Sequence, residues 1–417
     1  MSMKVFSMFD GVGGFIVGLE RSESKLFEVL FANQYEPSRK SQDAFEVGLY
    51  QFPHVEHLNN DISLIPDSKF QEMKEKGVNM IVAGFPCQDY SVARSKSGEK
   101  GIEGKKGVLF WEIIRAVKVI KPDYLILENV DRLLKSPASQ RGRDFGVMLA
   151  TFNSLGYSVE WRVINAADYG MAQRRRRVFF FITKLFSPWN NYLSSIPERD
   201  ILLKEGLFAR QFPVEQKANK GRISKGEISE DLVRISEKFS ENFWNAGIMK
   251  NGNYYSIDTI PIYEPSIPLS QILQDENEVD EKYYLSKDAI NKFAELRDSK
   301  QVFRTSKEGH QYYYSEGSMS AFDDENLPGR TMLTSEGTIN RSTHLIFRNN
   351  RYRLLTPIEA ERLQHFEDDW TKFKKTKTGE IVQVTDRMRY FFMGNALVTK
   401  IVTRIANELE IIHSTIK

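Results

Sequence analysis

Residues 6–20 read FSMFDGVGGFIVGLE: an apolar run, a glycine turn, then an apolar, helix-like segment. Glycines at such a junction let the backbone come close to a ligand at the start of a helix. The spacing is not the G-x-G-x-x-G fingerprint of dinucleotide sites, because Ile16 stands where the third glycine would be. The stretch therefore admits two readings, a tight turn or a nucleoside-cofactor loop of another kind.

The same rhythm recurs downstream. MKVFSMF (3–9), EVLFAN (28–33), VNMIVAGF (78–85) and DYLILENV (123–130) are short apolar runs punctuated by glycine, asparagine or acidic residues. Longer amphipathic segments lie between them, such as LFWEIIRAVKVIK (109–121) before Pro122. Strands alternating with helices imply an α/β fold built on a parallel sheet with crossover helices. Ligands of such sheets bind outside the carboxyl ends of the strands, which places Asp10, Asp61, Cys87 and Glu128 on one rim. YSVEWRVINAADYG (157–170) and RRRVFFFITK (175–184) read as a further pair of strands. From residue 185 to 345 the chain turns polar and irregular, with prolines. That stretch reads as a domain inserted between a first unit, 1–184, and a return segment, 346–417. In the return segment LTPIEAERLQHF looks helical, with Pro357 in its first turn, and NALVTKIVTRIANELEII looks like a closing amphipathic helix.

The bulk numbers set the frame. A chain of 417 residues, 41% hydrophobic and 27% charged, has the make-up of an ordinary soluble protein of about two domains. Cys87 is the single cysteine, which excludes an internal disulfide and a cysteine-rich zinc site and fits a reducing, cytoplasmic setting. The start has no signal-peptide pattern, and no apolar run is long enough to span a membrane. Net charge is only +2, so any nucleic-acid affinity must come from local basic stretches such as QRRRRVFFF (173–181) and RSKSGEKGIEGKKG (94–107).

Cys87 follows Pro86 at a strand end, with Gln88 and Asp89 next. A thiol there reads either as a small core filler or as a nucleophile, and the second needs a nearby cation or amide dipoles to hold the thiolate. Arginines of the QRRRR run would supply that field from the same rim. Glu128 closes a strongly apolar strand, where desolvation raises a carboxyl pKa and suits it to proton transfer; a salt-bridged or capping carboxylate is the alternative. Gln34, Glu36 and Asp61 stand at strand ends where they would hold ribose hydroxyls and an adenine edge, or merely cap turns. The rival chemistry, a Cys–His hydrolase, finds no support. His54, His57, His310, His344, His365 and His413 all lie off the rim, and none shows metal-ligand spacing.

Taken in order, FDGVGGF, NDIS, GFPCQDYS, GVLFWEI, ENV, QRRRRVF, LLTPIEAERLQ and FMGNALV resemble the DNA cytosine-5 methyltransferase family. The blocks cover residues 4–184 and about 346–410, with a variable region between. The resemblance implies a Rossmann-like, S-adenosylmethionine-dependent methyltransferase fold with a smaller target-recognition domain inserted at 185–345. It implies a cofactor lying against Phe9, Gly11, Gly13 and Gly14, with Asp61 near the adenine. Ile62, Pro86, Leu109, Asn395 and Ala396 would complete that site. Many relatives carry a ribose-binding glutamate where this chain has Gln34, and Glu36 sits two residues on, so either residue is a candidate.

The implied chemistry starts with thiolate addition from Cys87 to cytosine C6, which makes C5 enamine-like. Glu128 would hydrogen-bond N3 and the exocyclic amine, oriented by Arg175 with Arg177 in support. Loss of the C5 proton after methyl transfer would expel the cysteine. The target base would be flipped out of double-stranded DNA. A loop from Ser91 to Gly107 would close over the DNA, and Arg94 departs there from the glycine common in relatives. Gln88, Ser91, Arg94, Arg330, Thr331 and Arg341 are the candidate DNA contacts, the last three within GRTMLTSEGTINRSTH (329–344). The expected setting is a bacterial or phage restriction-modification system, with a monomeric enzyme and a separately acting restriction endonuclease. Transfer-RNA methylation and a catalytically silent DNA-binding role are the alternatives.

Overall fold

The computed structural model describes residues 2–85, 109–217, 222–229, 231–232, 234–235, 239–305, 309 and 311–415. Its first part alternates β1 (Met3–Met8), α1 (Gly14–Glu20), β2 (Phe27–Asn33), α2 (Asp43–Gln51), β3 (Glu56–Leu58), α3 (Asp67–Glu75), β4 (Met80–Gly84), α4 (Leu109–Ile120), β5 (Tyr124–Val130) and α5 (Arg143–Ser154). The strand pair β6 (Tyr157–Asn165) and β7 (Arg176–Lys184) follows. These strands lie in the order β3-β2-β1-β4-β5-β7-β6. β1 to β5 pair in parallel, and β7 runs antiparallel to both neighbours.

The apolar runs are continuous because the central strands are covered on both faces. Met3, Val5, Met80, Val82 and Ile126 point into one core, with α1 and the closing helix Thr399–Thr415. Phe6, Met8, Ile81, Ala83, Leu125 and Leu127 point into the other, with α3, α4 and α5. The closing helix packs against α1. Gly18 makes that contact possible: a Cβ there would stand 2.4 Å from Val402 Cβ. The helix at Pro357–Leu363 also forms, opened by a capping box between Thr356 and Glu359.

The stretch after residue 184 is more regular than its polarity suggests. Ala246–Lys250, Asn253–Ile257 and Ile223–Glu227 continue the sheet beyond β6, all antiparallel, to ten strands among the described residues. Asn251 and Gly252 both take positive φ (50° and 76°), the two-residue hairpin turn that Asn-Gly favours. The sheet therefore runs on past the expected boundary at 184, and residues beyond about 260 stand outside it.

Candidate active site

The chain builds outward from β1 through β2 to β3, then returns to β4 on the other side of β1. Such a switch point leaves a crevice at the carboxyl ends of β1 and β4. Here it opens into a cavity of about 1150 Å³. Ligand pockets commonly measure roughly 300–1,000 Å³, so this one has room for a cofactor and a substrate base together.

The floor is the glycine turn. Phe9 and Gly11 take positive φ (55° and 62°), and Gly13 N donates to Asp10 O at 3.0 Å to close the turn. Gly11 N donates to Gln34 Oε1 at 2.8 Å, so the Gln34 side chain fixes the loop. Gly14 opens α1 on the cavity wall, with Leu397 of the return segment against it. Gly13 does not line the cavity; at φ 87° it packs on Phe52, where a Cβ would come within 2.1 Å of the ring.

Glu36 sits on the next wall, its carboxylate 3.0 Å from Arg39. Burial pushes the Glu36 pKa up against that neighbouring charge. Arg39 in turn lies 4.1 Å from the centroid of the Phe391 ring. Asp61 accepts from Ser63 N at 3.0 Å and Ser63 Oγ at 2.7 Å and so caps the turn Ile62–Leu64. Leu109, Asn395 and Ala396 complete the lining.

The opposite end of the cavity carries charge. Glu128 stands near the end of β5, in register with Gly84 of β4. Its Oε1 lies 2.9 Å from Arg177 Nε. Burial raises the Glu128 pKa, while Arg177 and Arg175 pull it back. The direct ion pair thus falls to Arg177. Arg175 is fully buried and donates to Met332 O at 3.1 Å and Gly394 O at 3.0 Å. Burial first, and Arg177 second, push its pKa down to about 9, which leaves it charged at neutral pH. The backbone of Phe85 is bound to the same strand end, through Glu128 O at 3.4 Å and Asn129 Nδ2 at 2.7 Å. A carboxyl in this setting can donate one hydrogen bond and accept another from a planar N–C–N edge.

A cofactor crevice at the switch point, with an arginine-paired carboxyl at its far wall, matches what the ordered sequence blocks imply. The model of the C-5 cytosine-specific DNA methylase family matches residues 3–410. The chain belongs to the C-5 cytosine-specific DNA methylases. It is 54% identical over 412 residues to the type II methyltransferase M.Sau3AI of Staphylococcus aureus, covering 99% of this chain and 96% of that one. M.NlaIV of Neisseria lactamica, another type II methyltransferase, is 33% identical over 184 residues, 42% of this chain and 40% of its own. In fold it is similar to the Dnmt2 methyltransferase of S. pombe (TM-score 0.60, 14% identity, 99% of each chain). A putative DNA modification methyltransferase from an E. coli prophage gives TM-score 0.52 at 20% identity, over 99% of this chain and 100% of that one.

This DNA methylase is a DNA cytosine-5 methyltransferase, and S-adenosylmethionine is its methyl donor. The residues present fit such a cofactor. Asp10 is a buried carboxyl on the cavity wall, and among the described residues no lysine or arginine pairs with it. Among the described residues its side chain accepts from Ser7 Oγ at 2.5 Å, and burial lifts its pKa to about 7. A cationic ligand would supply the missing partner.

The cavity brings together Phe9, Gly11, Gly14, Gln34, Glu36, Asp61, Ile62, Leu109, Glu128, Arg175, Arg177, Asn395 and Ala396. Pro86, Cys87, Gln88, Ser91 and Arg94 lie outside the described residues. Arg330 donates to Asp323 at 2.5 Å and 3.1 Å, and to the carbonyls of Ser342 and Thr343. Arg341 donates to the carbonyls of Leu296, Asp298 and Gly317. Thr331 Oγ1 donates to Arg174 O. All three candidate DNA contacts also make hydrogen bonds within the protein. Arg39, Phe391 and Asp10 line the cavity without having been expected in the cofactor site. Only Asp10 carried a signal, its position at the end of the first apolar run. No helix among the described residues is long and apolar enough to cross a membrane.

Proposed function

We propose that this enzyme methylates a flipped-out cytosine through a covalent bond from Cys87 to C6, as the modification enzyme of a type II restriction-modification system. The Arg177-paired, largely covered Glu128 is the observation that carries the mechanism. Cytosine C5 is a poor nucleophile until a group adds at C6. That addition drives electrons towards N3, and a carboxyl that keeps its proton there relieves the charge. Burial raises the Glu128 pKa, which favours the proton there, and Arg177 holds its orientation. Cys87 lies two residues beyond Phe85, whose backbone is bound to the Glu128–Asn129 strand end. When bound, the cofactor supplies the methyl group to C5. Gln34 shapes the glycine loop through Gly11, which leaves Glu36 for the ribose. Residues 185–345 contain the target-reading part, within the portion that lies outside the sheet. The type II assignment rests on the similarity to M.Sau3AI along nearly the whole chain, and a separately acting endonuclease and a monomeric enzyme belong to the same proposal.

Bisulfite sequencing of DNA from cells expressing the enzyme should show protected cytosines in one sequence context, and none with Cys87→Ser. Duplex DNA carrying 5-fluorocytosine at that position should trap a denaturant-stable complex, because C5 then holds no proton to lose. Full activity of Cys87→Ser, or no trapped complex with an active enzyme, would refute the covalent route.

A further inference from the structure

Residues Lys300–Thr305 and Gln311–Glu316 form an antiparallel two-stranded ribbon joined to no other strand among the described residues. Gln311 to Ser315 are all exposed, so neither face of that strand is covered. Phe303 is 52% exposed and Tyr313 67%. Isolated hairpins are marginal in water, and exposed aromatic patches of this kind mark interaction sites.

The register sorts the side chains. Gln301 pairs with Ser315, Phe303 with Tyr313 and Thr305 with Gln311, which puts two amides and two hydroxyls around one aromatic pair on a single face. Among the described residues none of Gln301, Thr305, Gln311 or Ser315 shows a side-chain hydrogen bond within the protein. The other face carries Lys300 and Arg304, with the Arg304 guanidinium 4.1 Å from the Tyr314 ring centroid.

The root of the ribbon is rigid. Arg341 binds the carbonyls on both flanks, Leu296 and Asp298 before the ribbon and Gly317 after it. Arg297, 3% exposed, donates to Ser320 O at 2.8 Å, Asp323 at 3.1 Å and Thr343 O at 2.7 Å. Arg330 shares Asp323. The chain next to it is tied to the catalytic arginine block: Gly329 N to Ala172 O at 2.7 Å, Arg174 N to Gly329 O at 2.7 Å and Met332 N to Gln173 Oε1 at 2.9 Å. Hydrogen bonds therefore link the wall of the active site to the base of the ribbon, buried near Gln173 and Asp323 and more exposed at Arg341.

We propose that this ribbon enters a groove of the duplex and reads the target sequence. The face with Gln301, Thr305, Gln311 and Ser315 would meet the base edges, and Lys300 and Arg304 the phosphates. A two-stranded ribbon fits the major groove, and glutamine amides pair with donor–acceptor edges of adenine there. The inference rests on the reading of 185–345 as the segment that recognises DNA. It goes further by moving recognition from Arg330 and Arg341, whose donors are used internally, to the ribbon they anchor.

The test uses the full-length enzyme with the duplex that it methylates and a duplex altered beside the target cytosine. Anisotropy titrations compare wild type, Gln301→Ala/Gln311→Ala and Arg304→Ala. These substitutions leave the Phe303–Tyr313 pair, and hence the ribbon, intact. The double variant should lose about tenfold of the discrimination between the two duplexes. Arg304→Ala should weaken both duplexes alike and reduce the salt slope by about one. Cofactor binding by calorimetry and the melting temperature should not move. Unchanged discrimination in the double variant would overturn the proposal. So would a wild-type dimer that the variants split with DNA affinity intact, which would make the ribbon a self-association arm. A wild type that modifies no DNA would instead remove the underlying reading, before any variant is compared.

Discussion

Asp10 offers a direct test of how the cofactor site is charged. Its carboxyl is buried, bonded to Ser7 Oγ, and held at a pKa of about 7 by desolvation, with the Ser7 bond opposing and Glu20 adding a small push. In the unfolded chain the same group titrates at the ordinary aspartate value of 3.8. Between these values the native state binds one proton more than the unfolded state. Stability from this group is therefore complete below pH 3.8 and is lost as pH rises through about 7. The full difference is about three pH units, or about 4 kcal/mol. Across the accessible range of about pH 5.5 to about pH 8.5 the loss attributable to Asp10 is about 2 kcal/mol. Asp10→Asn keeps the shape and the Ser7 contact but cannot ionise. Urea unfolding of the cofactor-free enzyme should show the variant gaining on wild type by about 2 kcal/mol between those two pH values. Saturating S-adenosylmethionine should shrink that gap at the higher pH, because a cation beside Asp10 restores the value of its charge. A gap that stays constant with pH, or that the cofactor widens, would refute the assignment.

Two further predictions concern the far wall and the packing behind the glycine loop. Arg177→Met removes the neighbour that pulls the Glu128 pKa down. The alkaline limb of the pH–kcat profile should therefore move to higher pH even as kcat falls, and a limb that moves down would contradict the need for a protonated Glu128. Gly18→Ala drives a methyl group to 2.4 Å from Val402 Cβ and 2.9 Å from Thr399 O. It should cost about 1–3 kcal/mol in thermal unfolding, with partial recovery when Val402→Ala is added.

The sequence was most legible where one physical constraint acts alone. The continuous apolar runs MIVAG (80–84) and YLIL (124–127) require a strand covered on both faces, and both lie at the centre of the sheet. The cofactor wall followed from the same logic, since strand ends at a switch point must face one crevice. The edge of the sheet was harder. Ile223–Glu227 is mostly exposed and carries no alternation that distinguishes a strand from a loop. Yet KNGN (250–253) held the Asn-Gly signal of a hairpin, and it was masked by the polar residues around it. Arginine roles were the least legible. Arg330 and Arg341 stand among the candidate DNA contacts in sequence, and only the structure shows the carbonyl and carboxylate partners they also hold. A guanidinium offers five donors, and nothing local says whether the protein or its substrate will use them.

Arg175 shows why that ambiguity matters for the enzyme as a whole. Burying a guanidinium costs several kcal/mol unless its donors find partners. Here the partners come from two places far apart in sequence, Met332 after the 300–316 ribbon and Gly394 before the closing helix. One charged side chain thus joins the catalytic strand pair, the inserted segment and the return segment. Its Nε stays buried with no partner among the described residues, beside the Glu128–Arg177 pair. A charge so placed strengthens every anionic group at that wall, because low dielectric magnifies its field. It also ties that field to the position of residues 329–332. A shift of residues 329–332 on 172–175 would move the carbonyl that holds Arg175. Residues 329–332, the Arg175 guanidinium and the wall that carries the Glu128–Arg177 pair therefore form one connected unit.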